Sequence, residues 1–137
     1  MLYNLLRRMW GACYILKFKI GQGVLAKIPY KNGIGTPKLR PYLIVGIDYE
    51  SCKIKILNIS TLQGKEIKLI YYKTNIRLHN YNPPFVKESF VKIDSCQKID
   101  FGQAEKFKLL CGGKVLEESE LNKILLRLKQ YELECEK

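Results

Sequence analysis

Lys38-Leu39-Arg40-Pro41-Tyr42-Leu43-Ile44-Val45-Gly46-Ile47 is the stretch whose reading decides the fold. From Pro41 to Ile47 it is nearly all apolar, a pattern a strand shows when both its faces are covered. It therefore reads as the central strand of a sheet. It ends in the turn cluster Asp48-Tyr49-Glu50-Ser51, which marks a hairpin. Lys38 and Arg40 stand at its entrance, next to a proline that suits the first residue of a strand.

Upstream, Lys31 to Arg40 is rich in glycine and basic residues and has no apolar period, so it reads as a flexible loop carrying three positive charges. Before it, Gly23 to Tyr30 forms a strand that ends near Pro29. Residues 1–20 read as an N-terminal extension, with room for a short helix packed on a domain of residues 21–137. The start resembles a signal peptide only superficially: the apolar run is short, Lys17 and Lys19 follow at once, and no small-x-small cleavage site appears. No stretch is long enough to span a bilayer.

Downstream, Cys52-Lys53-Ile54-Lys55-Ile56 alternates at the strand period, and the apolar parity then flips at Leu57-Asn58-Ile59-Ser60. A bulge, or cover on both sides, accounts for the flip. Gly64 marks a turn, Glu66 to Tyr72 reads as a strand, and Lys73 to Pro84 as a long polar loop holding Arg77 and His79. Phe85 to Asp94 is the last clear strand. Leu121, Ile124, Leu125 and Leu128 then fall at helical spacing behind Gly112-Gly113, giving an amphipathic helix over Glu117 to Tyr131 whose stripe serves core packing. The result is a mainly β, α+β chain with one C-terminal helix.

At 137 residues and 47% hydrophobic content the chain can bury one core, which argues for a single compact domain. Its net charge is +11, and the excess is localised: residues 1–114 hold 20 basic and 7 acidic groups, residues 115–137 hold 4 and 6. Such a field favours polyanions and places nucleic acid first among partners, against the plainer reading of a lysine-rich soluble surface. The five cysteines are odd in number and form no C-x-x-C pair, so neither a disulfide framework nor a zinc site is signalled, and a reducing cytoplasm fits. His79 is the single histidine, which excludes a paired-imidazole nuclease and a multi-histidine metal site. Asp48 and Glu50, in a turn without another acidic neighbour, make a poor metal site. No metal and no cofactor is expected.

Several pieces stand in a telling order: a Gly-x-x-Val strand within Gly21 to Tyr30, the glycine-rich loop Lys31 to Leu39, Arg40-Pro41-Tyr42-Leu43-Ile44-Val45, Ile59-Ser60-Thr61, Ser89-Phe90-Val91-Lys92-Ile93-Asp94, Lys98-Ile99-Asp100 and Gly113-Lys114-Val115-Leu116. Together they resemble the MazF/PemK toxins over roughly residues 21 to 131. The chain departs from that family in its N-terminal extension, in an insertion-like stretch from Lys65 to Pro84, and in having Ser60 where threonine is commoner.

The resemblance implies an SH3-like β-barrel of the MazF/PemK/CcdB type with a C-terminal helix. It also implies a metal-independent endoribonuclease in which the 2′-hydroxyl of single-stranded RNA attacks the adjacent phosphate. A planar guanidinium suits the charge that gathers on a five-coordinate phosphorus, so Arg40 is assigned to stabilise it. Ser60 is assigned to orient the phosphate or the attacking hydroxyl, with Thr61 as the alternative because the parity flip leaves the inward residue open. Taken singly, Arg40 reads as a surface arginine beside a strand-opening proline, and both hydroxyls as strand-end groups satisfying local backbone; only the combination raises them.

Lys31, Lys38, Lys73 and Arg77, with Tyr30, Tyr71, Tyr72 and Tyr81 nearby in sequence, make a mixture that tracks phosphates and stacks bases. Solvated lysines and edge-packed tyrosines give the same pattern. His79 is a further RNA-contact candidate or simply a loop residue. The family likeness adds a homodimer and an acidic antitoxin as partners. Two other functions compete: a non-catalytic SH3-like nucleic-acid-binding module, and a gyrase-poisoning toxin on the same barrel.

Overall fold

The computed structural model describes residues 17–29, 33–71 and 73–136. Its strands are β1 (Gly23–Lys27), β2 (Leu39–Asp48), β3 (Lys53–Thr61), β4 (Asn75–Arg77), β5 (Ser89–Asp100) and β6 (Lys108–Leu109). Helix α1 (Glu66–Tyr71) lies between β3 and β4, α2 (Phe101–Ala104) follows β5, and α3 (Glu118–Cys135) closes the chain. The strands form one antiparallel six-stranded sheet in the order β4-β5-β3-β2-β1-β6.

Strand β2 lies inside this sheet, with an apolar cluster on each face. Tyr42 and Ile44 join Phe18, Val24, Ala26, Ile54, Ile56 and Phe107 on one side. Leu43 and Val45 join Leu57, Ile59, Val91, Ile93 and helix α3 on the other. Two-sided burial is what makes β2 continuously apolar. The β2–β3 hairpin turns where the Asp48 carboxylate accepts the backbone N–H groups of Glu50 (3.0 Å) and Ser51 (3.3 Å). Hydrogen bonding by Ser51, side chain first, holds the Asp48 carboxyl below its ordinary pKa.

In β3 the alternation is unbroken: Ile54 and Ile56 enter the first cluster, Leu57 and Ile59 the second. The apparent parity flip is thus two-sided cover. The irregularity sits on the partner strand, because Ile56 pairs with Gln97 while Asn58 pairs with Lys92. Strand β5 bulges between those two pairs, and Ser95 stitches the gap. Its hydroxyl accepts the Asn58 N–H at 2.8 Å and donates to the Lys92 carbonyl at 2.6 Å.

Three sequence expectations change. The pattern at Glu66 to Tyr72 predicts a strand, but Glu66–Tyr71 is helical. Its β-branched isoleucines favour a strand only where a sheet face receives them, and Ile67 is 60% exposed. Glu66 in the first turn and Lys68 in the last also complement the helix dipole. The expected loop from Lys73 to Pro84 contains β4, paired with β5 through Asn75–Lys92, Ile76–Val91 and Arg77–Phe90. The last long strand runs Ser89–Asp100, not Phe85 to Asp94, since the bulge lets pairing with β3 resume beyond Cys96.

The expected C-terminal helix is present and extends to Cys135. Ile124 and Leu128 are buried in the second cluster with Leu121 and Leu125 packed beside them, and Lys55 ties its last turns to β3 through Glu132 at 2.8 Å. Among the described residues the hydrogen-bonded order of the sheet has two ends, β4 and β6, and does not close into the expected barrel. Most of the 1–20 segment lies outside the described residues. Within it Phe18 is buried against Phe107, and Gln22 fastens the same stretch by accepting the Lys19 N–H (2.7 Å) and donating to the Gly113 carbonyl (2.8 Å).

Candidate functional site

Cross-strand partners share a face of a sheet, and residues two apart along a strand share it too. The pairs Tyr42–Asn58, Asn58–Lys92 and Lys92–Asn75 therefore make one row across β2, β3, β5 and β4. The β2–β3 ladder ends at Tyr42 and Asn58. Two residues beyond that last pair along each strand, and so on the same face, stand Arg40 and Ser60. Ser60 pairs with Phe90 and Phe90 with Arg77, so these three form the next row, with Arg40 on the same face near the start of β2. One half of this face is the apolar cluster around Tyr42 and Phe18, and the other half carries polar and cationic side chains.

Ser60 is buried, and its Oγ accepts a hydrogen bond from Lys65 Nζ at 3.0 Å. The turn at Gly64, where φ is +76°, sets Lys65 there. Its carbonyl accepts the Lys68 N–H at 3.0 Å as the chain enters α1. Asn75, opposite Lys92, donates from Nδ2 to the Lys68 carbonyl at 3.4 Å, which docks α1 beside the first row. Arg40 is half-buried; its Nε is enclosed without a hydrogen bond of its own, and the residue is held by other interactions.

Lys92 is half-buried on this face. Burial, then repulsion from Lys68, Lys65 and Arg40, pushes its pKa below the ordinary lysine value, while Asp94 acts in the opposite sense. The four cations therefore share one electrostatic neighbourhood. Among the described residues no three His, Cys, Asp or Glu side chains converge.

The other residues singled out in the sequence are dispersed. Thr61 pairs with Ser89 and so faces away from Arg40, where it lines a cleft with Gln63, Glu66, Lys87 and Glu88. Lys38 is exposed just ahead of β2, and Lys73 is exposed in the turn between α1 and β4. Arg77, in the second row, is engaged with Glu88 at 3.2 Å. His79 is exposed and its backbone N–H is bound by Glu120 at 2.9 Å, which ties it to α3 and not to Arg40. Lys31, Tyr30 and Tyr72 lie outside the described residues.

Sequence reasoning missed Lys65, Lys68 and Lys92. Lys92 had a signal: it shares strand parity with Phe90 and so stands at a position where an apolar residue is expected. Lys65 and Lys68 had none, since Lys65 stood at a turn and the strand assignment placed Lys68 in the wrong period.

No family model matches the chain, and no curated protein matches it by sequence. Among solved structures, a chain of the MazE-MazF crystal structure (form II) from Deinococcus radiodurans is similar. Its TM-score is 0.56 at 14% identity, and the match covers 82% of this chain and 93% of that one. The likeness is one of architecture: an α+β chain with a six-stranded antiparallel sheet and a C-terminal helix, consistent with the MazF-like fold.

Proposed function

We propose that this chain is the toxin of a toxin–antitoxin pair and acts as a MazF-type endoribonuclease on single-stranded RNA. The observation that supports the reading is the strand parity that puts Arg40 and Ser60 on one cationic half-face of a MazF-like fold. In the proposed reaction the 2′-hydroxyl gives up its proton to water as its oxygen bonds to phosphorus and the bond to the 5′-oxygen breaks, giving a cyclic phosphate and, once the leaving oxygen takes a proton, a 5′-hydroxyl. Arg40 meets two phosphoryl oxygens as their charge grows. Because Ser60 Oγ accepts from Lys65, its own proton is available to donate to a phosphate oxygen. Lys92, whose ammonium is destabilised by burial and by neighbouring cations, is the proton donor to the leaving oxygen.

The proposal includes residues 21–137 as the catalytic domain behind the 1–20 extension, a homodimer, and the cytoplasm as compartment. It also includes an acidic antitoxin that competes with RNA for this surface. The similar structure is a MazE-MazF complex, and a flexible acidic segment suits a field of this sign. No helix among the described residues is long and apolar enough to cross a membrane.

The test is cleavage of single-stranded RNA by the purified chain in EDTA. Arg40→Ala should lower cleavage by roughly 10²- to 10³-fold, the range for losing one oxyanion-stabilising group, and bind RNA within a few-fold of wild type. Activity abolished by chelation and restored by Mg²⁺ overturns the mechanism. Wild-type cleavage by Arg40→Ala overturns the site, and absence of cleavage altogether favours a binding module.

A further inference from the structure

Lys65 and Lys68, at the entry to α1, bring to the site more positive charge than cleavage of a single phosphodiester requires. Each phosphodiester carries one negative charge, and a guanidinium already satisfies two of its oxygens. Arg40, Lys92, Lys65 and Lys68 bring four positive charges to one half-face, against which Asp94 sets one negative charge. Like charges held together are a cost unless an anion joins them, and one phosphate offsets only part of it.

The geometry shows where a second anion fits. Lys65 spends one of its three ammonium donors on Ser60, leaving two that a neighbouring group can take. Lys68 is three residues on, and its N–H is bound by the Lys65 carbonyl at 3.0 Å, so both belong to the turn by which the chain enters α1. The helix is held over the Asn58–Lys92–Asn75 row by the Asn75 bond to the Lys68 carbonyl.

We propose that Lys65 and Lys68 form a second phosphate subsite beside Arg40 and Ser60, so that the site grips two consecutive phosphodiesters of an RNA strand. The inference rests on the ribonuclease reading for the identity of the first phosphate. It adds that recognition continues onto α1, within the stretch by which this chain departs from the MazF/PemK pattern.

The test uses 2′-O-methyl oligonucleotides, which lack the attacking hydroxyl, with one, two or three internucleotide phosphates and no terminal phosphate. Their affinity for the full chain is measured by fluorescence anisotropy over a range of salt, for wild type, Lys65→Gln, Lys68→Gln and Lys68→Arg. For wild type the second phosphate should raise affinity roughly tenfold, as one charge-assisted hydrogen bond does. That gain should shrink in both glutamine variants, and the logarithmic salt slope should fall by about 0.7 for each phosphate that is no longer neutralised. Lys68→Arg should keep the wild-type gain, which separates charge from helix packing. Equal gains in wild type and both glutamine variants overturn the subsite, as does a wild-type affinity that stops rising at one phosphate. Cleavage of a long RNA by wild type is followed in parallel. A flat affinity series with intact cleavage sinks the subsite alone, whereas the expected series without cleavage supports the subsite and sinks the catalytic reading.

Discussion

Ser60 and Thr61 are neighbours in β3 that face opposite sides of the sheet: Ser60 pairs with Phe90 and is bonded by Lys65, while Thr61 pairs with Ser89 beside Glu88. The two hydroxyls are therefore not interchangeable. Ser60→Ala should lower kcat/KM for RNA roughly tenfold to hundredfold, as expected for losing a hydrogen bond to a charged group. Thr61→Ala should stay within a few-fold of wild type. Equal losses, measured on one oligonucleotide, would remove the face argument.

Lys92 couples stability to function in opposite directions. Its folded pKa lies below 10.5 because of burial and of Lys68, Lys65 and Arg40, with Asp94 acting against them. Between the folded value and 10.5 the unfolded chain binds more protons, so stability rises with pH across that window; below it the charged ammonium is a standing cost. Lys92→Met should therefore raise Tm at pH 7 and low salt by a few degrees, on the order of 2–6 °C, while cleavage falls. The gain should shrink as salt screens the neighbouring cations and as pH approaches 10.5. Thermal melts at two salt concentrations check this, and a lower Tm for the variant at low salt counts against it.

Glu120 is a buried carboxylate that accepts the backbone N–H groups of His79 (2.9 Å) and Asn80 (3.0 Å). Removing it leaves two donors without their acceptor. Glu120→Ala should cost about 2–4 kcal/mol in urea unfolding, and Glu120→Gln, which keeps one oxygen, clearly less. Similar costs for both would show that the bond to this loop is not what Glu120 contributes.

Much of this was legible where burial writes itself into the sequence. β2 was readable because two clusters remove its alternation, and the α3 stripe because Leu121, Ile124, Leu125 and Leu128 all pack into one of them. Arg40 and Ser60 were found as strand-end residues, but that they share a face depends on register, which local pattern does not encode. The row through Lys92 depends further on a bulge stitched by one serine hydroxyl. At Glu66 to Tyr72 local preference misled, because docking beside β4 outweighs the strand tendency of two isoleucines.

Gly23 in β1 has no room for a side chain. A Cβ there would lie 2.9 Å from Phe85 Cε1 and 2.9 Å from Pro84 Cγ. Gly23→Ala should destabilise the chain by roughly 1–3 kcal/mol, the usual cost of overpacking. Combined with Phe85→Leu, part of that loss should be recovered, and a double-mutant cycle in urea reads the coupling. Strict additivity would locate the strain elsewhere.

Among the described residues the sheet ends in its two shortest strands, β4 with three residues and β6 with two. Margins this short give another strand little length to pair along. A peptide that binds this protein therefore finds little purchase for lengthening the sheet from either margin. Recognition must come from side chains, so the order of charges and rings along a binding peptide should matter more than its ability to lie extended.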